Sequence, residues 1–296
     1  MRVATAPGSL PAATALGQVS LTVADLAGVT GFYERAIGLR VLERDGDVVR
    51  LGPAGGAALV ELVGRADAPP RAPRSAGLFH VAILFPERAE LARALRRLVG
   101  AGWRLTGASD HLVSEALYTA DPEGNGIELY RDRPREEWRR QPSGELEMAT
   151  IPLDLDDLIA ELPDGDEADA GAPPATRIGH VHLQVSDLDP AERFYAQALG
   201  FDVTVRSYPG ALFLAAGGYH HHVGANTWSS AGGPAADPTA RGLRHFTVEL
   251  PNGDEVERVA RRLAGAGFPA EAQPDGSALA RDPFRIGVVL RPAPAG

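Results

Sequence analysis

A nine-residue segment, Gln18-Val19-Ser20-Leu21-Thr22-Val23-Ala24-Asp25-Leu26, returns 162 residues later as His180-Val181-His182-Leu183-Gln184-Val185-Ser186-Asp187-Leu188. The same offset holds for Phe32-Tyr33 against Phe194-Tyr195, for Gly38 against Gly200 and for Gly55-Gly56 against Gly217-Gly218. A second pair starts at Phe79-His80-Val81 and Arg244-His245-Phe246, 165 residues apart. Both members run into an arginine-rich stretch ending in Gly-Ala-Gly, at 100–102 and 265–267, and later reach Asp121-Pro122 and Asp282-Pro283. Repetition at fixed spacing constrains a fold more than any local propensity does.

All four units share one grammar: a short alternating strand, a polar turn, a helix, then glycine-rich turns between short strands. Each reads β-α-β-β-β, so the chain is expected to be an α+β protein of four βαβββ modules in two tandem domains. In the second module, Leu91, Leu95, Leu98 and Val99 are spaced to share one helical face. The starts, at 18, 80, 180 and 245, leave an excess of about 35 residues in the middle. The expected division is a loose tail at 1–15, a domain at 16–135, a linker at 136–175 and a domain at 176–292. Leu153–Leu162 is read as a short helix within the linker, and the polar run from Pro163 to Asp169 as mobile.

The chain has 296 residues and no cysteine, which removes thiol nucleophiles, zinc fingers, iron–sulfur clusters and disulfides. All 29 basic residues are arginine, so Schiff-base chemistry and a P-loop lysine are excluded. A formal net charge of −10 argues against nucleic acid as a partner. No apolar run is long enough to span a bilayer, and the first fifteen residues do not read as a signal peptide, so a cytoplasmic location with no membrane partner is expected. Chemistry is left to eight histidines, carboxylates, tyrosines or a bound metal. The pairs Arg96-Arg97 and Arg261-Arg262 are read as solvated helix faces.

The strand motif His180-Val-His-Leu-Gln-Val-Ser-Asp-Leu188, with Phe194-Tyr195 and Leu199-Gly200, and the ending Asp121-Pro-Glu-Gly-Asn-Gly-Ile-Glu128 resemble the vicinal oxygen chelate superfamily. That superfamily includes glyoxalase I, type I extradiol dioxygenases and bleomycin-resistance proteins. The resemblance covers nearly the whole chain outside the tail and linker and is strongest to the two-domain, four-module catechol 2,3-dioxygenase branch. It implies mixed sheets that curl around a metal cleft, with ligands from the first and last strand of each module. A homodimer is open to such a fold, which often pairs modules between chains.

The implied first-strand positions are Gln18, His80, His180 and His245; the last-strand positions are Glu61, Glu128, Val223 and Val289. If modules pair within domains, Gln18, Glu61, His80 and Glu128 make a glyoxalase-like set for Zn²⁺ or Ni²⁺. If modules two and three pair, His80, His180 and Glu128 make the two-histidine, one-carboxylate set suited to non-haem Fe(II), with Mn, Zn and Ni as alternatives. The second pairing is favoured, because modules two and three carry the remaining reactive side chains. By resemblance these are Tyr118, ten residues before Glu128, His111 upstream, and one of the run His220-His221-His222. Strand alternation places His220 and His222 on one face and His221 on the other. The extradiol motif favours His222 and register favours His221, so both remain candidates.

The implied reaction is extradiol cleavage of a catechol-type aromatic substrate by O₂. His221 or His222 takes and returns a proton, Tyr118 hydrogen-bonds a substrate oxygen and His111 supports it, while Phe213 and Trp228 pack the ring. The alternatives are a glyoxalase-like isomerase or lyase and a sequestering protein without metal. His182 is read as a packing residue or a support for the ligands, His245 as structural, and Gln18 and Glu61 as vestiges of duplication.

Overall fold

The computed structural model describes residues 8–163, 165–166 and 171–294. All four modules fold as β-α-β-β-β. Module one is β1 (Ala15–Val23), α1 (Leu26–Phe32), β2 (Arg40–Asp45), β3 (Val48–Gly52) and β4 (Val60–Gly64). Module two is β5 (Gly77–Leu84), α2 (Arg88–Gly100), β6 (Gly107–Asp110), β7 (Ser114–Ala120) and β8 (Gly126–Asp132). A strand β9 (Ile151–Pro152) and a helix α3 (Leu155–Ile159) follow. Module three is β10 (Arg177–Gln184), α4 (Leu188–Glu192), β11 (Asp202–Val205), β12 (Ala211–Ala215) and β13 (Val223–Asn226). Module four is β14 (Gly242–Leu250), α5 (Gly253–Gly265), β15 (Glu271–Ala272), β16 (Ala278–Arg281) and β17 (Gly287–Pro292). The strands form two mixed sheets, ordered β15-β16-β17-β14-β1-β4-β3-β2 and β11-β12-β13-β10-β5-β8-β7-β6-β9.

By packing, the chain divides into two compact units. One holds modules three and four with residues up to Val19 and Pro70–Phe79; the other holds modules one and two from Ser20 on, with residues up to Gly179. First and last strands run parallel in modules two, three and four, as β5 with β8, β10 with β13 and β14 with β17, whereas neighbours such as β7 and β8 or β12 and β13 are antiparallel.

Sequence explains where the helices start and stop. Asp25 and Asp187 cap α1 and α4, accepting from the N–H groups of Gly28 and Asp189. Both helices continue as π-helical turns, Tyr33–Ile37 and Arg193–Ala198. Gly38 and Gly200 end them at φ +86° and +100°, where a side chain would be strained. On α2, Leu91, Leu95 and Leu98 are buried as expected, but Val99 is 63% exposed. At 100° per residue it points between buried Leu95 and Ala92, but it lies in the last turn, where Gly100 and Ala101 are exposed too.

Two arginines depart from the solvated faces expected of them. Arg97 is buried and donates to Ile37 O at 2.8 Å and Gly171 O at 3.0 Å. Its repeat partner Arg262 donates to Ala198 O at 2.7 Å and to Leu199 O. Arg97 therefore satisfies a helix-end carbonyl at Ile37 and a linker carbonyl at Gly171, and Arg262 two carbonyls at the end of its helix. Arg96 pairs with Asp166, while Arg261 is exposed beside Glu257.

The linker is tied down where it is described. Arg88 meets Glu115, Asp157 and Glu161 at 2.6–2.9 Å, and Arg93 meets Asp166 at 2.7 Å. The helix read at Leu153–Leu162 is α3, one turn long. Of the run read as mobile, Asp164 and residues 167–169 lie outside the described residues. Residues 1–7 of the expected tail do too, but from Gly8 on that expectation fails. Leu10 is buried and its N–H donates to Gly200 O at 2.8 Å, and Ser9 donates to Asp202 at 2.9 Å.

The Asp-Pro turns aim the last strand of two modules. Asp121 accepts from the N–H groups of Glu123 and Asn125, and Asp282 from those of Phe284 and Ile286. Asp282 also accepts from the Tyr195 hydroxyl at 2.9 Å. Burial pushes its carboxyl up to about 7, against the Ile286 and Phe284 amides and the Tyr195 hydroxyl, which hold it down. A raised carboxyl favours folding below the unfolded value of 3.8 and loses that benefit as pH rises through about 7. Asp282→Asn stays neutral and is expected to flatten this fall, gaining up to about 4 kcal/mol relative to the parent between pH 4 and pH 8. Urea unfolding of both chains at the two pH values measures it.

Candidate metal centre

Strand alternation sets one half of the centre. In the parallel pairing of β5 and β8, Ala82 lies opposite Glu128 and His80 opposite Gly126. His80 and Ala82 share a face, and Glu128 rises beside them between buried Ile127 and Leu129. Glu128 is 2% exposed, and its Oε2 lies 2.9 Å from His80 Nε2. Across the antiparallel β7–β8 pair, Tyr118 is directly opposite Glu128, and its ring lies 5.6 Å from that of His80.

Tyr118 and His111 form a defined pair. His111 Nδ1 lies 2.7 Å from Ala149 O, a carbonyl that only accepts, so Nδ1 carries the proton. A neutral imidazole then accepts at Nε2, and the Tyr118 hydroxyl, 2.6 Å away, donates to it. The lone pairs of the phenol oxygen are thereby turned toward other donors.

The other half is built on β10. His180 and His182 are buried and share one face. In the β10–β13 pairing His182 lies opposite Gly224, so the counterpart of Glu128 in module three is Gly224, not Val223. One residue more separates His180 from Gly224 than separates Gln18 from Glu61, which the constant offset hides. A Cβ on Gly224 would stand 2.9 Å from Cγ of His182, so the imidazole fills the space a carboxylate occupies in module two.

The histidine run is not a strand. Gly217 and Gly218, at φ +61° and +70°, turn the chain between β12 and β13, and Tyr219 to His222 follow as loop. Alternation is lost. The ring of His221 lies 4.0 Å from that of His180, and His220 lies 5.9 Å from it. The Nδ1 atoms of His220 and His221 are 2.8 Å apart, a hydrogen bond that sequence reasoning missed although the triple histidine signalled it. His222 goes elsewhere: it accepts from the Ala216 N–H and stacks on Phe201. Of the two candidates, the structure brings His221 beside His180.

One ligand atom from each of His80, Glu128 and His180 lies within 4.8 Å of the other two, and all three residues are buried. Two ligands at about 2.1 Å in adjacent positions on one ion are about 3 Å apart. The His80–Glu128 separation already matches that geometry. Two imidazoles and a carboxylate form a donor set for a divalent transition metal with positions left open.

The profile of the Glyoxalase/Bleomycin resistance protein/Dioxygenase superfamily matches residues 15–129 and 177–288. The chain belongs to this superfamily. A curated relative, Catechol-2,3-dioxygenase of Bacillus subtilis (strain 168), is 43% identical over 273 residues, covering 91% of this chain and 94% of the relative. Among solved structures, a protein of Bacillus subtilis subsp. subtilis str. 168 provisionally assigned as a dioxygenase aligns with a TM-score of 0.67 at 14% identity, covering 97% of this chain and 87% of its own. Glyoxalase I from Zea mays aligns with a TM-score of 0.56 at 17% identity, over 94% and 92%. These two likenesses concern the fold.

The four modules of this chain share one plan, and the equivalent positions outside this centre differ. Glu61, in the glyoxalase-like alternative, accepts from Arg50 Nε at 2.9 Å and from Ser20 Oγ at 2.8 Å. Arg50 lies opposite Glu61 just as Tyr118 lies opposite Glu128. An arginine thus neutralises Glu61, which weighs against its use as a metal ligand. Gln18 lies on β1 and is half-buried; His245 lies on β14 and is half-buried; Val289 and Leu279 stand at the carboxylate and tyrosine positions of module four. His182 packs among Phe79, Phe213 and Trp228, in keeping with a packing role. Substituting Gly224→Ala is expected to drive a Cβ into that ring and lower stability by about 1–3 kcal/mol, read from urea unfolding.

Proposed function

We propose that the chain is an extradiol ring-cleaving dioxygenase acting with O₂ on a catechol-type substrate, and that His80, His180 and Glu128 hold Fe(II). The observation that carries the reading is the convergence of these three buried ligand atoms, on a chain 43% identical to a relative named for this activity. A carboxylate buried beside an imidazole, with a second imidazole in reach, fits a cation better than it fits an apolar ligand. An ion bound there supplies Lewis acidity and a template for the two diol oxygens.

The side chains of this chain do the rest. His221, next to His180, receives the proton of the second hydroxyl and later returns it. Tyr118 donates its own proton to His111, so its oxygen accepts a hydrogen bond from a substrate hydroxyl and fixes the ring's orientation. His111, anchored on Ala149 O, keeps Tyr118 in that role. Phe213, 4.9 Å from His221, presents an apolar surface to the ring.

Protein loaded anaerobically with Fe(II) and then exposed to catechol in air is expected to give a yellow ring-opened semialdehyde; no product across a panel of catechols rejects the reading. Glu128→Gln is expected to weaken metal retention at least tenfold, while Glu61→Gln keeps the parent's metal content, both read by elemental analysis. The reverse pattern would restore the glyoxalase-like set, and no retained metal in the parent would favour a sequestering protein. His221→Asn is expected to lower kcat about 10²-fold or more, and His222→Asn by far less, in steady-state assays.

A further inference from the structure

The face of β10 that carries His180 also carries His182, and a row of rings runs along it. Phe213 lies 4.9 Å from His221, His182 lies 5.7 Å from Phe213, and Trp228 lies 5.4 Å from His182, centroid to centroid. Tyr208 gives a parallel path, 5.8 Å from Phe213 and 6.2 Å from Trp228. Phe79 closes the row, 5.2 Å from His182 and 5.5 Å from Trp228. Phe213 and His182 are buried, whereas Phe79 is 38% and Trp228 47% exposed.

The exposed end is built, not loose. The Trp228 indole N–H donates to Pro209 O at 2.9 Å, and its backbone N–H donates to Asn226 Oδ1 at 3.2 Å. Gly210, at φ +68°, lies under the indole, and a Cβ there would stand 3.0 Å from Cδ1. Exposed apolar side chains normally occur singly, so two large rings fixed against each other at the surface point to a binding surface. Arg71, beside the Phe79 end, donates to Leu78 O and Gln184 Oε1 and so is engaged with the protein itself. The two exposed side chains at this end, Phe79 and Trp228, are aromatic.

Its length selects among diols. Stacked or edge-on rings sit about 4.5–7 Å apart, so one benzenoid ring seated beside His221 answers to about one step of the row, at Phe213. The rings beyond it, up to Phe79 and Trp228, meet nothing on unsubstituted catechol. We infer that Phe79 and Trp228 determine specificity, selecting a catechol that bears a flat apolar substituent laid along this row. The inference rests on the ring-cleavage reading above.

Steady-state kinetics of the Fe(II)-loaded protein with catechol, 3-phenylcatechol and 4-phenylcatechol test it. The parent is expected to show kcat/KM at least tenfold higher for the better phenylcatechol than for catechol, with the difference in KM. Trp228→Ala and Phe79→Ala are each expected to lower that ratio at least tenfold, and Trp228→Phe to keep it within threefold. A parent that favours catechol, or alanine variants with an unchanged ratio, overturns the inference. If none of the three diols is cleaved, the ring-cleavage reading fails on its own, and binding under argon decides the inference. Tryptophan fluorescence quenched more by 3-phenylcatechol than by catechol, with the extra quenching lost in Trp228→Phe, supports it; equal quenching in parent and Trp228→Phe overturns it.

Discussion

A carboxylate that is 2% exposed has lost its water, and Glu128 lies in that condition between Ile127 and Leu129. Burial of an unpaired carboxylate costs several kcal/mol, so something must offset the charge. His80 lies 2.9 Å away, and a metal ion held by this group of ligand atoms would offset the charge. The elements around the centre serve this constraint. The parallel pairing of β5 with β8 brings Glu128 level with the His80 side of its neighbour, the Asp121 turn aims β8, and the Tyr118–His111–Ala149 chain faces the same carboxylate from β7.

Duplication kept the backbone and varied the charge at each copy of this position. Glu128 faces histidines. Glu61 faces Arg50, whose guanidinium stands where module two has Tyr118, so a covalently attached cation balances it. Gly224 has no side chain, and the His182 ring takes the room. Val289, opposite Leu279, needs no partner. The structural devices of the repeat changed less. Arg97 and Arg262 both close helix-end carbonyls beside Gly38 and Gly200, and the Asp121 and Asp282 turns repeat the same backbone hydrogen bonds. Backbone groups must be satisfied in every copy, whereas one charged centre suffices for one reaction.

Reading the chain residue by residue found what depends on strand period and lost what depends on loops. His80, Glu128 and His180 were legible through the family resemblance, which implies ligands on the first and last strands of a module, and the repeat shows where those strands fall. The alternation expected of His220 to His222 and the Val223 position both fail. Gly217 and Gly218 break the alternation before the histidine run, and one added residue shifts the module-three register. Arg97 and Arg262 read as surface charges because a long side chain reveals its destination only when a helix end comes within reach.

By itself, the order of residues determined the four-module α+β architecture and the absence of thiol and lysine-amine chemistry, and the family resemblance it carries implied His80, Glu128 and His180. Periodicity and composition are local properties, and they survive without coordinates. Tertiary structure alone decided that His221 rather than His222 stands by His180, that Tyr118 is hydrogen-bonded to His111, that Arg50 neutralises Glu61, and that a row of aromatic rings runs to Trp228. Each of these is a distance between residues remote in sequence, set by how strands pair and where glycine turns the backbone.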